Sequence, residues 1–379
     1  MKKLYLMTPG PTPVPEQVML DMAKPIIHHR TSQFQEIIKQ VEEDLKYLFQ
    51  TKNDVLIFAS SGTGGMEAAC ANLLSPGDTA ITVRGGKFGE RWTEICNAYN
   101  VKAVNIDVQW GKAVQPKAIE DALKTNPGAK AVFVTLCETS TGAETDVKSI
   151  AAVVSKAKAV LVVDAISGLG SCQLKTDEWG VDVVVTGSQK GLMIPPGLAF
   201  VSVSPKAWEL VKQSKSPRYY FDFTAYKKAL DKTDTPYTPA ITLMIGLAKA
   251  LKMIKEETVE AVLARHAKLA RATREAVVAM GLELFAPTAP SNAVTHVKAP
   301  QGLDGEQIVK VLKSKYGVWV AGGQAELKGK VFRIAHLGYM ADTDILMTIS
   351  ALEMALIELG VKIKQGAGVM AAQKVLMEK

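Results

Sequence analysis

Among the residues able to do covalent chemistry, Lys190 stands out by its setting. It lies in Gly187-Ser188-Gln189-Lys190-Gly191, after the apolar run 181–186. An amine that leaves an apolar strand into a glycine-flanked turn loses water, which favours its neutral, nucleophilic form and suits it to a Schiff base. It follows Asp164 by 26 residues. Asp164 ends a second apolar run, 159–164, and so places an acid at the carboxyl end of a buried strand, the edge where open α/β sheets bind ligands. Earlier, Ser60-Ser61-Gly62-Thr63-Gly64-Gly65 joins an apolar run to a helical pattern. Glycines there let the backbone approach a ligand, and the free amides of a helix start attract phosphate.

Taken singly, each feature has a plainer reading. Most lysines are solvated, an Asp after a strand often caps a helix, and a glycine-rich strand–helix turn is often only a turn. The loop is neither G-x-G-x-x-G nor a Walker loop with its lysine. Together they supply what pyridoxal phosphate chemistry asks of a protein: a lysine for the aldehyde, an acid for the pyridine nitrogen and a cradle for the phosphate.

Short apolar runs alternating with helical patterns must position these residues. Strands are expected at 55–58, 80–83, 101–108, 131–136, 159–164, 181–186 and 198–203, with helices at 36–49, 66–74, 91–98, 116–123 and 147–156. Continuously apolar strands between helices predict an α/β fold, a mostly parallel sheet with helices on both faces. After about residue 255 the pattern becomes helix 259–280, strand 293–297, helix 306–316, strand 331–335 and helix 344–359, a smaller α+β C-terminal domain. The expected organisation is an extended arm over 1–16, a large domain over 17–256 and a small domain over 257–379. The arm holds Thr8-Pro9-Gly10-Pro11-Thr12-Pro13-Val14-Pro15, too rich in proline for a helix.

A chain of 379 residues, 47% hydrophobic and 22% charged, has enough apolar residues for real cores and is not disordered, fibrous or a disulfide scaffold. Its net charge of +7 is a weak bias without a like-charge run, so no nucleic-acid partner is expected. No apolar stretch approaches a membrane span, and no membrane partner is expected. Cys70, Cys96, Cys137 and Cys172 form no C-x-x-C pair, so reduced thiols, no metal and a cytoplasmic location are expected.

The chain resembles the class V aminotransferases of the fold type I pyridoxal phosphate enzymes, most closely the serine–pyruvate/alanine–glyoxylate group. The resemblance covers almost the whole chain. It is carried by Pro9-Gly10-Pro11, Ser61-Gly62-Thr63-Gly64, Glu138-Thr139-Ser140-Thr141-Gly142, Val163-Asp164-Ala165, Gly187-Ser188-Gln189-Lys190, Pro195-Pro196-Gly197 and Phe332-Arg333-Ile334. It implies pyridoxal 5'-phosphate as cofactor, Lys190 as its lysine and Asp164 as partner of the ring nitrogen. It further implies Thr63, Gly64, Gly65 and Gln189 at the phosphate, Phe88 stacked on the ring, Thr139 near its phenolic oxygen, and Ile166 as a further cofactor contact. Arg333 would pair with the substrate carboxylate, with Gly10 and Thr139 also at the substrate.

The implied reaction is ping-pong transamination between a small amino acid, serine or alanine, and a small 2-oxo acid, glyoxylate or pyruvate. Tyr237 and Thr238, in Thr235-Pro236-Tyr237-Thr238-Pro239, would reach the phosphate of a partner subunit. That segment and the proline-rich arm lack an evident task within one chain, which points to a homodimer with shared sites. His28, His29 and Arg30 suit a subunit contact as well as a site and stay outside the set. The rival readings are a 2-aminoethylphosphonate-type transaminase and a non-catalytic subunit that kept the fold. A cysteine desulfurase fits poorly because Cys172 is the last cysteine and precedes Lys190. A nicotinamide-dependent enzyme fits poorly because the loop lacks the third-glycine spacing.

Overall fold

Seven short apolar runs pair into one sheet in the computed structural model, which describes residues 3–378. In chain order they are β1 (Val55–Ala59), β2 (Thr79–Arg84), β3 (Lys102–Asp107), β4 (Ala131–Thr135), β5 (Val160–Asp164), β6 (Val183–Gly187) and β7 (Leu198–Val203). Their spatial order is β1-β7-β6-β5-β4-β2-β3. β7 runs antiparallel to both its neighbours, and every other pair is parallel. Because β7 opposes both β1 and β6, those two point the same way. The carboxyl ends of β1, β2, β4, β5 and β6 therefore open on one edge, and from that edge leave the segments carrying Thr63, Phe88, Thr139, Asp164 and Lys190.

Alternate residues of each strand enter two separate cores. Leu161 and Val163 of β5 face one, while Val160 and Val162 face the other. Both faces of the inner strands are dry, and so those strands read as unbroken apolar runs, whereas the half-exposed edge strand β3 also carries Lys102, Asn105 and Asp107. Helices Ser32–Phe49, Val147–Val154 and Ile241–Glu257 cover the first face. α1 (Gly62–Leu73) and α2 (Lys87–Ala98) cover the second, where Trp92 of α2 stacks on Phe133 of β4 with ring centroids 4.5 Å apart. Gly65 lets α1 lie close to the sheet: a Cβ there would stand 2.8 Å from Val185.

Helices Val259–Ala279 and Asp342–Glu358 pack with an antiparallel sheet of β8 (Val294–Lys298), β9 (Ala321–Gly322) and β10 (Val331–Ala335), β10 in the middle. They share a third core. The α/β class with a smaller α+β C-terminal domain is thus the observed architecture.

The arm corrects one expectation. It has a task within its own chain, because it fastens this smaller domain to the edge of the large sheet. Tyr5–Leu6 pairs in parallel with Val318–Trp319, and Met7 is buried in the third core with its carbonyl accepting the Ala335 amide at 3.0 Å. The Thr12 amide donates to the Gln189 carbonyl at 3.2 Å, and its hydroxyl donates to the Lys190 carbonyl at 3.0 Å. Proline fixed the extended shape, but the partners that give it a task lie far along the chain.

Behind the lysine turn, Gly191 lies against the Leu169 carbonyl, and a Cβ would stand 2.3 Å from that oxygen. Backbone meets backbone there, so neither side can yield cheaply. Gly191→Ala should cost about 1–3 kcal/mol in urea unfolding. Gly128→Ala, with open space around it, should stay within about 0.5 kcal/mol of wild type. Equal effects would remove the close contact as the cause.

Candidate active site

Residues from all five of these strand ends line one cavity. Ser61, Gly62, Thr63, Phe88, Arg91, Thr139, Asp164, Ile166, Gln189 and Lys190 are among its walls. Asp164, buried at the end of β5, accepts the Ile166 amide on Oδ1 at 2.8 Å. Desolvation raises its carboxyl to about 7, against the pull of that amide. Lys190 follows β6, the next strand of the sheet, and desolvation lowers its ammonium to about 8. Its Nζ donates to the Pro9 carbonyl. Gly10 packs on the same side chain, at φ +129°, where a Cβ would stand 2.4 Å from Nζ. Any residue but glycine would have to displace the lysine's reactive end.

Ser61 caps α1 without a side-chain bond to the first amides, so that turn keeps donors for an anion. The Gln189 Oε1 atom is buried without a hydrogen-bond partner. Ile166 lies against Gly62, whose Cβ would stand 2.6 Å from it. These features match a flat ring carrying a phosphate: a cradle of amide donors and room kept open by glycine, with the Gln189 amide group buried beside them. Gly64 and Gly65 sit one step further into the helix, outside the cavity wall, with their amides bonded to the Ser61 carbonyl at 2.9 and 3.4 Å.

Arg333, on β10, is buried behind this cavity. Its Nε donates to the Gly322 carbonyl at 2.7 Å and its Nη1 to the Thr139 carbonyl at 3.1 Å. Both partners are neutral, and among the described residues no carboxylate comes within ion-pair distance. Desolvation lowers the guanidinium to about 10, which leaves it charged at neutral pH. Thr139 itself bonds Ser167 through its hydroxyl at 2.7 Å.

The structure does not bring every expected residue together. Tyr237 and Thr238 line a second cavity, with Tyr220, Tyr226 and Asp234, whose walls do not include Lys190. There Tyr237 stacks on Tyr220 at 5.1 Å and donates its hydroxyl to the Tyr219 carbonyl at 3.1 Å. Arg30 pairs with Asp234 nearby, and the rings of His28 and His29 lie 4.7 Å apart.

Three contributors escaped sequence reasoning. Arg91 lines the cavity, donates to the Thr63 hydroxyl at 3.1 Å and lies 5.0 Å from the centre of the Phe88 ring. Its position one helical turn after Phe88 was the available signal. Pro9 acts through a backbone carbonyl, which leaves no mark in the sequence. Glu138 stands within a family motif but reaches across to another helix. Among the described residues no three His, Cys, Asp or Glu side chains are grouped to hold a metal ion, and no helix is long and apolar enough to cross a membrane.

Residues 4–338 match the family described as Aminotransferase class-V. The serine–glyoxylate aminotransferase of Methylorubrum extorquens is 38% identical over 386 residues, covering 99% of this chain and 96% of that protein. The soluble hydrogenase small subunit of Synechococcus is 46% identical, covering 99% and 98%. The crystal structure of the ureidoglycine–glyoxylate aminotransferase of Bacillus subtilis superposes with a TM-score of 0.95 at 29% identity, covering 100% and 99%.

The buried acid makes a test with a definite sign. Between about 4 and 7 the folded protein binds more protons at Asp164 than the unfolded chain does. The stability this group contributes is therefore present below about 4 and is lost as pH rises through about 7. Ligand-free Asp164→Asn should melt above wild type at pH 8, with the gap closing toward pH 4. A gap independent of pH would show that the carboxylate carries no such penalty.

Proposed function

This chain belongs to the class V aminotransferase family, and on that premise we propose that it moves the amino group of serine or alanine to glyoxylate or pyruvate, using pyridoxal 5'-phosphate. The observation that carries this reading is the meeting, at one sheet edge, of a desolvated lysine and a buried acid, with an arginine of the smaller domain, free of any carboxylate partner among the described residues, bonded to the Thr139 turn beside them. The activities for which two similar proteins are named, serine–glyoxylate and ureidoglycine–glyoxylate transamination, lend it support.

Lys190 and Asp164 would hold the cofactor at its aldehyde and ring nitrogen, Gln189, Thr63 and the first turn of α1 at its phosphate, with Phe88 and Ile166 beside the ring. Bound there, it supplies an electrophilic carbon for an amine and a ring that accepts electrons. The chain's own residues do the rest. Arg333 presents a planar fork to the substrate α-carboxylate, and its binding to neutral carbonyls leaves its charge for the substrate. Asp164, ionised beside a cation, keeps the ring nitrogen protonated. Lys190, released when the substrate amine takes its place at the aldehyde carbon and lowered by desolvation to about 8, would take the proton from the substrate α-carbon and return it on the cofactor side. Thr139 offers a hydroxyl from the turn that also holds Arg333. One 2-oxo acid leaves before the other enters, because a single cavity serves both.

Tyr237 and Thr238 line a different cavity from the one around their own Lys190, which supports a homodimer in which each subunit lends them to its partner. Four buried, unbridged cysteines support a reducing cytoplasm.

Purified protein, tested against serine, alanine and 2-aminoethylphosphonate as donors, should lose its cofactor absorbance on mixing with the first two, and borohydride should fix the cofactor's mass on the peptide containing Lys190. Arg333→Ala should keep the cofactor but lower kcat/KM for both amino acids by about 30- to several-thousand-fold. A preference for the phosphonate would replace this substrate assignment. No turnover with any donor, in protein that takes up no cofactor, would favour a non-catalytic subunit.

A further inference from the structure

Glu138 is a buried carboxylate with no basic partner among the described residues, and four donors converge on it. Oε2 accepts the Gly89 amide at 2.8 Å, while Oε1 accepts the Phe88 amide at 3.3 Å, the Ser140 amide at 3.1 Å and the Ser140 hydroxyl at 2.6 Å. The Ser140 hydroxyl in turn accepts the Lys87 amide at 3.0 Å. Lys87, Phe88 and Gly89 open α2, and the residue before them, Gly86, has no side chain to cap them. Gly86 must be glycine here, since a Cβ would stand 2.4 Å from Ser140 Oγ and 2.5 Å from the Glu138 carboxyl carbon. The cap of this helix therefore comes from another strand end; burial raises the Glu138 carboxyl above the usual carboxylate range, and the donors from Ser140, Gly89 and Phe88 pull it back toward the charged form that suits the positive end of a helix.

The same turn faces the site on its other side. Thr139 points its hydroxyl to Ser167 and its carbonyl to Arg333. One three-residue turn thus touches the start of the helix that bears Phe88 and the arginine of the other domain.

We propose that Glu138 is a positioning residue: its carboxyl group, through the bonds to the Phe88 and Gly89 amides, fixes the start of α2, and so the Phe88 ring at the cavity, in register with the Thr139 turn that holds Arg333. The inference rests on the reading of the cavity as a pyridoxal phosphate site. Through this residue the grip on the cofactor and the grip on the substrate share one anchor. Gln in its place keeps the shape and one acceptor, but its NH₂ group would face an amide donor.

The test measures cofactor dissociation, the circular dichroism of bound pyridoxal phosphate, and kcat and KM separately, in wild type, Glu138→Gln, Ser140→Ala, Phe88→Ala and the double variant Glu138→Gln/Phe88→Ala. Glu138→Gln should weaken cofactor binding roughly ten- to hundredfold, as loss of a charge-assisted bond commonly does. It should also change the dichroism of the bound cofactor and raise KM for serine and alanine. In the Phe88→Ala background the same substitution should add much less, because the ring it positions is gone. Should Glu138→Gln fail to fold, Ser140→Ala, which removes one bond from each side of the cap, decides by the same signs at a few-fold size.

A lowered melting temperature with unchanged cofactor affinity and dichroism would make Glu138 a helix cap alone and overturn the inference, as would full additivity in the cycle. Wild type that takes up no pyridoxal phosphate would overturn the proposed function itself. Wild-type uptake with unaltered variants would overturn only the role of Glu138.

Discussion

Asp164 and Lys190 leave adjacent parallel strands at the same edge, and both lose water there. The loss acts on them in opposite senses, raising the acid to about 7 and lowering the amine to about 8. Neither group is settled in either charge state near neutrality, so small changes in what occupies the cavity decide both. A parallel sheet covered on both faces makes this possible, since only its carboxyl edge escapes the two cores. The helix start at Gly62, the Phe88 ring and the Arg333 fork are all arranged around that one dry edge.

Much of this was legible in the chain. The inner strands were visible because burial on both faces forces unbroken apolar residues, while the half-exposed edge strand β3 showed through Ala103, Val104 and Ile106; all seven pair in the one sheet. Helices with one apolar stripe, such as Ser32–Phe49, were equally plain, with boundaries off by a few residues where caps rather than periodicity decide. Lys190 and Asp164 announced themselves as charges at the ends of such runs.

What stayed illegible is instructive. Strand order is set by β7 turning back between β1 and β6, and nothing in the run 198–203 signals its direction. The arm's proline content told its shape but not its partners, because hydrogen bonds through main-chain carbonyls at Met7 and Pro9 are blind to side-chain type. Glu138 was visible as part of a motif, yet its reach to α2 required the fold. Tyr237 and Thr238 are placed together, but what they touch beyond their own chain is a matter of a second subunit rather than of this one.

The arm also imposes an order of assembly. Residues 5–12 are made early, yet their partners are Gln189 and Lys190, then Val318, Trp319 and Ala335. A ribosome-bound chain that has completed the seven-stranded sheet still lacks the strand that Tyr5–Leu6 joins. Contacts of such long sequence separation form late, since the chain entropy of closing them must be overcome first. The lysine thus takes its carbonyl and its glycine floor from an arm whose outer end, Tyr5 to Met7, is fastened only when the C-terminal part is in place, and a half-made protein holds its large sheet with that arm anchored at one end.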